Sequence, residues 1–273
     1  ELTRQARKLE MDWVMKEKVY SYCKLDDARG QKPITLRWVD TNKGDLLNPV
    51  VRSRLCVREQ KRGRNAVQAL EPEHLRSAMP PLECFKLLVS LKSSTKISRR
   101  DKPLLFAHFD ISRAHFMPKA ERNLFVELLP DEDPAKAKGF IGKLERSMYG
   151  TQDASNLWQK DYTELLTRNT YKAGIASPAI LYSEDHDSRV LVHGDDFGQL
   201  GDEDAIAELH RILSTKYTVK LLAVIGMGDQ IQECVFLNRI VRYIPACGAS
   251  SPRMEIEADQ RHVELLCADL GLG

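Results

Sequence analysis

No stretch of this chain approaches the ~20 consecutive apolar residues that a membrane-spanning helix needs. The first residues, ELTRQARKLEMDW, are polar and contain no apolar signal core. Cysteine pairs are missing too. Cys23, Cys56, Cys84, Cys234, Cys247 and Cys267 are scattered and form no C-x-x-C motif. That argues against a zinc site or a disulfide framework and for reduced thiols in an intracellular protein. There is no Gly-rich dinucleotide fingerprint, no phosphate-cradling Gly-rich loop and no G-x-S-x-G elbow. Internal repeats and low-complexity segments are absent. An excess of one charge is absent as well. Lys and Arg number 41 and Asp and Glu 39, leaving a net charge of +2. Whole-chain charge therefore does not by itself predict binding to nucleic acid. The chain starts with Glu rather than Met, and a fragment of a longer protein is expected.

What is present is ordinary in bulk and uneven in detail. The 273 residues are 42% hydrophobic and 29% charged, enough for one large domain or two small ones. The stretch VRSRLCVREQKRGR (51–64) carries Arg52, Arg54, Arg58, Lys61, Arg62 and Arg64 against Glu59 alone. A second basic cluster, KSSTKISRRDK, follows at 92–102. Each reads either as a solvated face or as a phosphate-neutralising patch.

Periodicity predicts a helix over 3–20, with Leu9, Trp13 and Val14 on one side. ITLRWVD (34–40) and NPVVRSRLCVRE (48–59) read as an outgoing and a returning strand around a turn. Arg52, Arg54 and Arg58 would share one face if the second strand is regular. Residues 81–94 predict an amphipathic helix entered by Pro81, and 103–110 an apolar strand ending on Asp110. A strand over 123–130 and a loop after it are expected. A helix follows over 154–169, with Asp153 as its N-cap, where Trp158 and Tyr162 fit a buried face. Residues 179–197 read as a hairpin, 203–217 as a helix capped by Asp202, 233–243 as one strand, and the tail as a helix running into a Gly stop. The order is α+β, with hairpins rather than regular parallel units.

RVLVHGDDFGQL (189–200) sets two adjacent carboxylates, Asp195 and Asp196, after an apolar run. A solvated turn explains the dipeptide, since Gly and Asp favour turns. A metal site explains it as well. If the strand ending at Asp110 is a neighbour, three carboxylates converge, and they repel unless a cation lies between them. Mg²⁺ takes oxygen ligands and leaves positions for water and phosphate.

FDISRAHF (109–116), KLERSMYGTQDASNLW (143–158), ASPAILY (176–182) and VLVHGDDF (190–197) stand in the order and spacing of a reverse transcriptase. They resemble the Ty1/copia type of LTR retrotransposon. The family's first motif reads roughly Asp-Val-x-x-Ala-Phe, its second Leu-x-x-Ser-Leu-Tyr-Gly-Leu-x-Gln-Ala-Pro-x-x-Trp, and its last Tyr-Val-Asp-Asp. ITLRWVDTNKGDLLNPVVRSRLCVRE resembles the family's fingers hairpin, and VFLNRIVRY with EADQRHVELLCADLGL its later strand and the helix that begins the thumb. The resemblance covers nearly the whole chain.

It implies a right-hand fingers–palm architecture with an antiparallel palm sheet packed on helices and a truncated thumb. Residues 1–245 would form fingers and palm, and 246–273 a linker and the start of the thumb. The implied activity is RNA-directed DNA polymerisation, with two-metal transfer of a dNTP to a primer 3′-OH. The alternative is a degenerate domain that binds nucleic acid without catalysis. Asp110, Asp195 and Asp196 would hold two Mg²⁺ (or Mn²⁺), with the Ile111 carbonyl as a further ligand. Arg52, Arg54 and Arg58 would grip the triphosphate. His115, Tyr149, Gly150 and Gln152 would border the nucleotide, and Lys61, Arg62, Arg64, His193 and Gly194 would meet the primed RNA or DNA template. The resemblance implies no membrane and places the chain in cytoplasmic virus-like particles or the nucleus. Integrase and RNase H would lie elsewhere in the parent polyprotein.

The chain also departs from the pattern. His193-Gly194 stands where the family has Tyr-Val, which gives the Gly-Asp-Asp of many viral RNA polymerases. His115 replaces an aromatic residue that excludes a ribose 2′-OH, implying weaker discrimination against ribonucleotides. Ala154-Ser155 replaces Ala-Pro, and MPKAERN replaces an Asn-Gly turn.

Overall fold

The structure is a computed structural model that describes residues 1–44, 47–59, 70–71, 77–257 and 260–272. Along the chain run α1 (Leu2–Lys16), β1 (Tyr20–Lys24), β2 (Leu36–Asn42), β3 (Val51–Val57), α2 (Leu82–Ser94), β4 (Leu105–Ile111), β5 (Phe125–Val126) and β6 (Phe140–Leu144). Then come α3 (Ala154–Thr167), β7 (Lys172–Ala173), β8 (Ile180–Ser183), β9 (Ser188–His193), β10 (Asp196–Gly201) and α4 (Glu203–Ser214). β11 (Val219–Ile225), β12 (Gln232–Phe236), β13 (Arg239–Ile244), β14 (Arg253–Glu257) and α5 (Gln260–Asp269) complete the order. The chain forms two compact units, one of Glu1–Ser77 with His115–Asp161, the other of Ala78–Ala114 with Tyr162–Gly273.

In the first unit β2 and β3 pair as the expected antiparallel hairpin, Trp38 opposite Leu55 and Val39 opposite Arg54. Alternation divides β3: Ser53, Leu55 and Val57 are buried, while Arg52 and Arg54 lie on the other face. The ladder stops at Val57, so Arg58 sits one residue beyond the strand and is exposed. The shared face thus holds for Arg52 and Arg54 only. A second sheet, β1–β6–β5, is antiparallel, and β5 keeps two residues of the strand expected over 123–130. The loop expected after it contains a 3₁₀ turn, Pro134–Lys138, whose Asp133 cap accepts from the Ala135 amide. The α1 expectation needs a correction. Met11 and Val14 are buried and Trp13 packs on Phe116, but Leu9 is 67% exposed because it falls on the opposite side of the helix.

The second unit is built on a six-stranded antiparallel sheet, ordered β11–β4–β10–β9–β8–β7. β4, an almost unbroken apolar run, is an interior strand buried on both faces. One face packs Phe106, Leu191, Leu200 and Ile225 against Phe85, Leu88 and Val89 of α2 and against Phe236, Val241 and Tyr243 of the β12–β13–β14 sheet. The other carries α4, whose Ile206, Leu209, Ile212 and Leu213 are buried. Residues 179–197 are not one hairpin but part of a meander, β8–β9–β10. Residues 233–243 are likewise two strands. Leu237 and Asn238, both at positive φ, form a two-residue hairpin loop between β12 and β13. All six cysteines are free, and burial pushes the Cys234 thiol up to about 11.

Candidate functional site

The sequence-predicted site residues fall into two groups, one in each unit. In the second unit β10 pairs with β4 so that Asp196 lies directly opposite Asp110 and Gly198 opposite His108. Cross-strand partners share a face, so both carboxylates emerge on the same side of the sheet. Asp196 also pairs with His193 of β9, leaving Gly194 and Asp195 as a two-residue loop. Gly194 adopts φ +64°, and Asp195 has no positive φ, the combination of a type II′ hairpin turn. The Asp195 carbonyl accepts the Ile111 amide at 2.9 Å, which ties the loop to the end of β4. Asp110, His193, Gly194, Asp195 and Asp196 are half-buried and Ile111 is buried.

His108 is a contributor that sequence reading missed. It lies two residues before Asp110 on the same face of β4, and its buried ring stands edge-on to Phe236 at 4.9 Å. Its Nε2 is hydrogen-bonded to Asp196 Oδ1 at 2.8 Å. Gly198 leaves room for the Phe236 ring, since a Cβ there would lie 2.8 Å from Phe236 Cζ. Among the described residues no group of three or more His, Cys, Asp or Glu side chains is placed so that it could hold a metal ion. The donor set nevertheless fits a hard cation. Two carboxylates share one register position and a third stands in the adjoining turn, so carboxylate oxygens are the donors of hard character at this end of the sheet, with the His108 imidazole hydrogen-bonded to one of them.

In the first unit several of the residues expected to border the nucleotide gather near the end of β3. The Val57 amide donates to the Tyr149 carbonyl at 2.7 Å. Gly150, at φ +89°, lies so close to β3 that a Cβ would be 2.0 Å from the Val57 carbonyl oxygen. The Arg54 guanidinium lies over the Tyr149 ring at 5.6 Å, and His115 meets that ring edge-on at 5.0 Å. The Gln152 amide donates to Glu59 Oε2 at 2.8 Å. Asp153 precedes α3 as expected, but its carboxylate is held in the fork of Arg122. Lys61, Arg62 and Arg64 lie outside the described residues. Trp158 and Tyr162 are buried, in line with the expected packing face, and Tyr162 meets Phe197 edge-on at 5.6 Å.

The family model described as reverse transcriptase (RNA-dependent DNA polymerase) matches residues 17–234. The chain belongs to the reverse transcriptase family. A curated relative is the retrovirus-related Pol polyprotein from transposon TNT 1-94 of Nicotiana tabacum, 25% identical over 237 residues. That match covers 83% of this chain but 16% of the relative, so the chain spans about a sixth of the polyprotein it matches. The copia-type reverse transcriptase expected from the motifs is therefore borne out as a family assignment. Two solved structures match at low similarity. One is a foamy viral protease–reverse transcriptase in complex with double-stranded DNA, with TM-score 0.45, 13% identity, and coverage of 88% of this chain and 34% of that one. The other is a telomerase from Candida albicans in complex with a fragment of telomeric RNA, with TM-score 0.44, 10% identity, and coverage of 85% and 48%. At such scores the assignment rests on the sequence match. The observed mixture of helices and antiparallel sheets is that of the expected α+β fingers–palm class. Among the described residues no helix is long and apolar enough to cross a membrane.

Proposed function

We propose that this chain is the RNA-directed DNA polymerase part of a copia-type retrotransposon Pol protein. The observation that carries the reading is the direct register of Asp110 with Asp196, with Asp195 in the adjoining turn, inside a reverse transcriptase family chain. Asp110, Asp195, Asp196 and the Ile111 carbonyl would hold two Mg²⁺, with Mn²⁺ as the alternative ion. When bound, these ions would neutralise the triphosphate and favour ionisation of the primer hydroxyl. The chain's own residues bind and orient. Arg52, Arg54 and Arg58 offer guanidinium groups to the triphosphate. His115, Tyr149, Gly150 and Gln152 border the nucleotide. Lys61, Arg62, Arg64, His193 and Gly194 contact the RNA or DNA template and its primer. The primer 3′ oxygen bonds to the α-phosphorus while the α–β phosphate bond breaks and pyrophosphate leaves. No covalent enzyme intermediate forms, so positioning and charge stabilisation supply the acceleration. Integrase and RNase H functions would belong to other parts of the parent protein, which would work in cytoplasmic particles or the nucleus.

The second reading, a domain that binds nucleic acid without polymerising, draws support from the hydrogen bond that occupies Asp196 Oδ1. The two readings separate in one assay. On a primed RNA template the parent is expected to incorporate dNTPs only with Mg²⁺, and Asp195→Asn to lose that activity by about a thousandfold or more. Salt-sensitive primer–template binding without incorporation, in the parent as in the variant, would favour the binding module.

A further inference from the structure

Arg122 is 9% exposed and holds two carboxylates at once. Its Nη1 and Nη2 donate to Glu59 Oε1 and Oε2 at 2.7 and 2.9 Å. Its Nε and Nη2 donate to Asp153 Oδ2 and Oδ1 at 2.8 and 2.7 Å. The Glu59 side chain is 0% and that of Asp153 8% exposed. Burial works against the Arg122 charge, but hydrogen bonds to Glu59 and Asp153 outweigh it and raise its pKa. Burial likewise opposes ionisation of Asp153, and the Arg122 fork overrides it and holds the carboxyl below its usual range. Arg122 and Asp153 therefore stay ionised as a buried pair.

The connectivity of this triad points to a role beyond stability. Glu59 follows Arg58 directly and lies two residues past the end of β3, the strand that carries Arg52 and Arg54. Its second oxygen also accepts the Gln152 amide. Asp153 is the next residue in the same loop, three past Gly150. That is the place where the family motif has Gln, so this chain puts a charge there and buries it under an arginine. One guanidinium thus fixes both the exit of the arginine-bearing strand and the Tyr149–Asp153 loop, two segments 63 and 31 residues away in sequence. A lysine, with a point charge and no planar fork, cannot hold both carboxylates in that arrangement.

We infer that Arg122 is a positioning residue that sets the loop bordering the incoming nucleotide against the triphosphate-gripping strand. The inference rests on the polymerase reading. Arg122→Lys keeps the net charge and tests it. The variant is expected to unfold cooperatively, and its KM for dNTP to rise by about tenfold, a larger factor than its fall in kcat. Primer–template affinity should stay at the parental value. The Val57 and Gln152 amides should exchange with solvent faster, while those of the β1–β6 ladder do not. If Arg122→Lys does not fold, Glu59→Gln is read by the same criteria. A folded variant with unchanged KM, its deficit wholly in kcat, would overturn the positioning role. So would failure of both variants to fold, which would make the triad a stability element only. A parent silent with Mg²⁺ would defeat the polymerase reading and this inference together, which an active parent with an insensitive KM would not do.

Discussion

Gly150 and Gly194 both sit at positive φ, yet the two positions make different demands on the residue. At Gly194 nothing lies within 4 Å of where a Cβ would stand. The only requirement there is the left-handed backbone of a two-residue turn. Where the family pattern has Val, this chain uses the residue that takes that conformation without strain. At Gly150 the backbone demand is joined by the Val57 carbonyl, 2.0 Å from a Cβ. Gly194→Val should therefore cost about 1–2 kcal/mol, the left-handed penalty alone. Gly150→Ala should cost more than that, because the Val57 contact forces the loop off β3. Denaturant titrations of the two variants give the comparison. Equal losses would mean that the loop yields freely at Gly150. The same positions show what a residue pattern can and cannot reveal. The aspartates were legible because order and spacing carry them. His108 and Arg122 were not, because each is a single polar residue whose partners arrive through the fold.

Helix α4 is the element whose sequence signals and structure agree best. Asp202 caps it by accepting the Ala205 amide, and Glu203 and Asp204 occupy its first turn. The structure adds that Asp202 is fully buried and also accepts from Ser98 and from the Arg100 fork. Burial pushes its pKa up, but the Ala205 amide, Arg100 and Ser98 together hold it below the ordinary value. A carboxyl depressed in the folded state stabilises fully above its unfolded pKa of about 3.9 and loses that contribution as the pH falls through the folded value. Asp202→Asn should thus destabilise by about 1–3 kcal/mol at pH 7, and the difference from the parent should narrow by pH 3. Urea titrations at the two pH values decide it, and an equal difference at both would rule out the ionised form as the source. Other elements were less legible for identifiable reasons. VKLLAVI shows no apolar–polar alternation from which a strand is read, and β11 carries a register shift between Leu221 and Ala223. The β12–β13 turn has Leu237 and Asn238 in place of a Gly signal, so two strands read as one.

At the scale of the whole molecule, 41 basic and 39 acidic residues leave almost no general attraction for a polyanion. On the proposed function, affinity for a primed template would then come from where the charges are placed. The stretch 51–64 holds six cations, and its one acid, Glu59, is buried against Arg122 rather than left to offset them. If that stretch meets phosphates, each cation engaged releases counterions and adds about −0.9 to the slope of log affinity against log salt for duplex DNA, somewhat less for single strands. Arg52, Arg54 and Arg58 belong to the proposed nucleotide pocket, which leaves Lys61, Arg62 and Arg64 as the proposed group for nucleic acid. Replacing these three with Ala should flatten the slope by roughly 2 to 3 and weaken binding most at low salt. Metal-dependent incorporation should persist once primer–template is saturating, because none of the three is assigned to the metal or the nucleotide. Primer–template binding measured from 50 to 300 mM salt, on the order of the range where such slopes are read, provides the test. An unchanged slope would place the nucleic-acid contacts elsewhere than in this stretch. A flattened slope together with a raised KM for dNTP would mean that the two groups of cations serve one site rather than two.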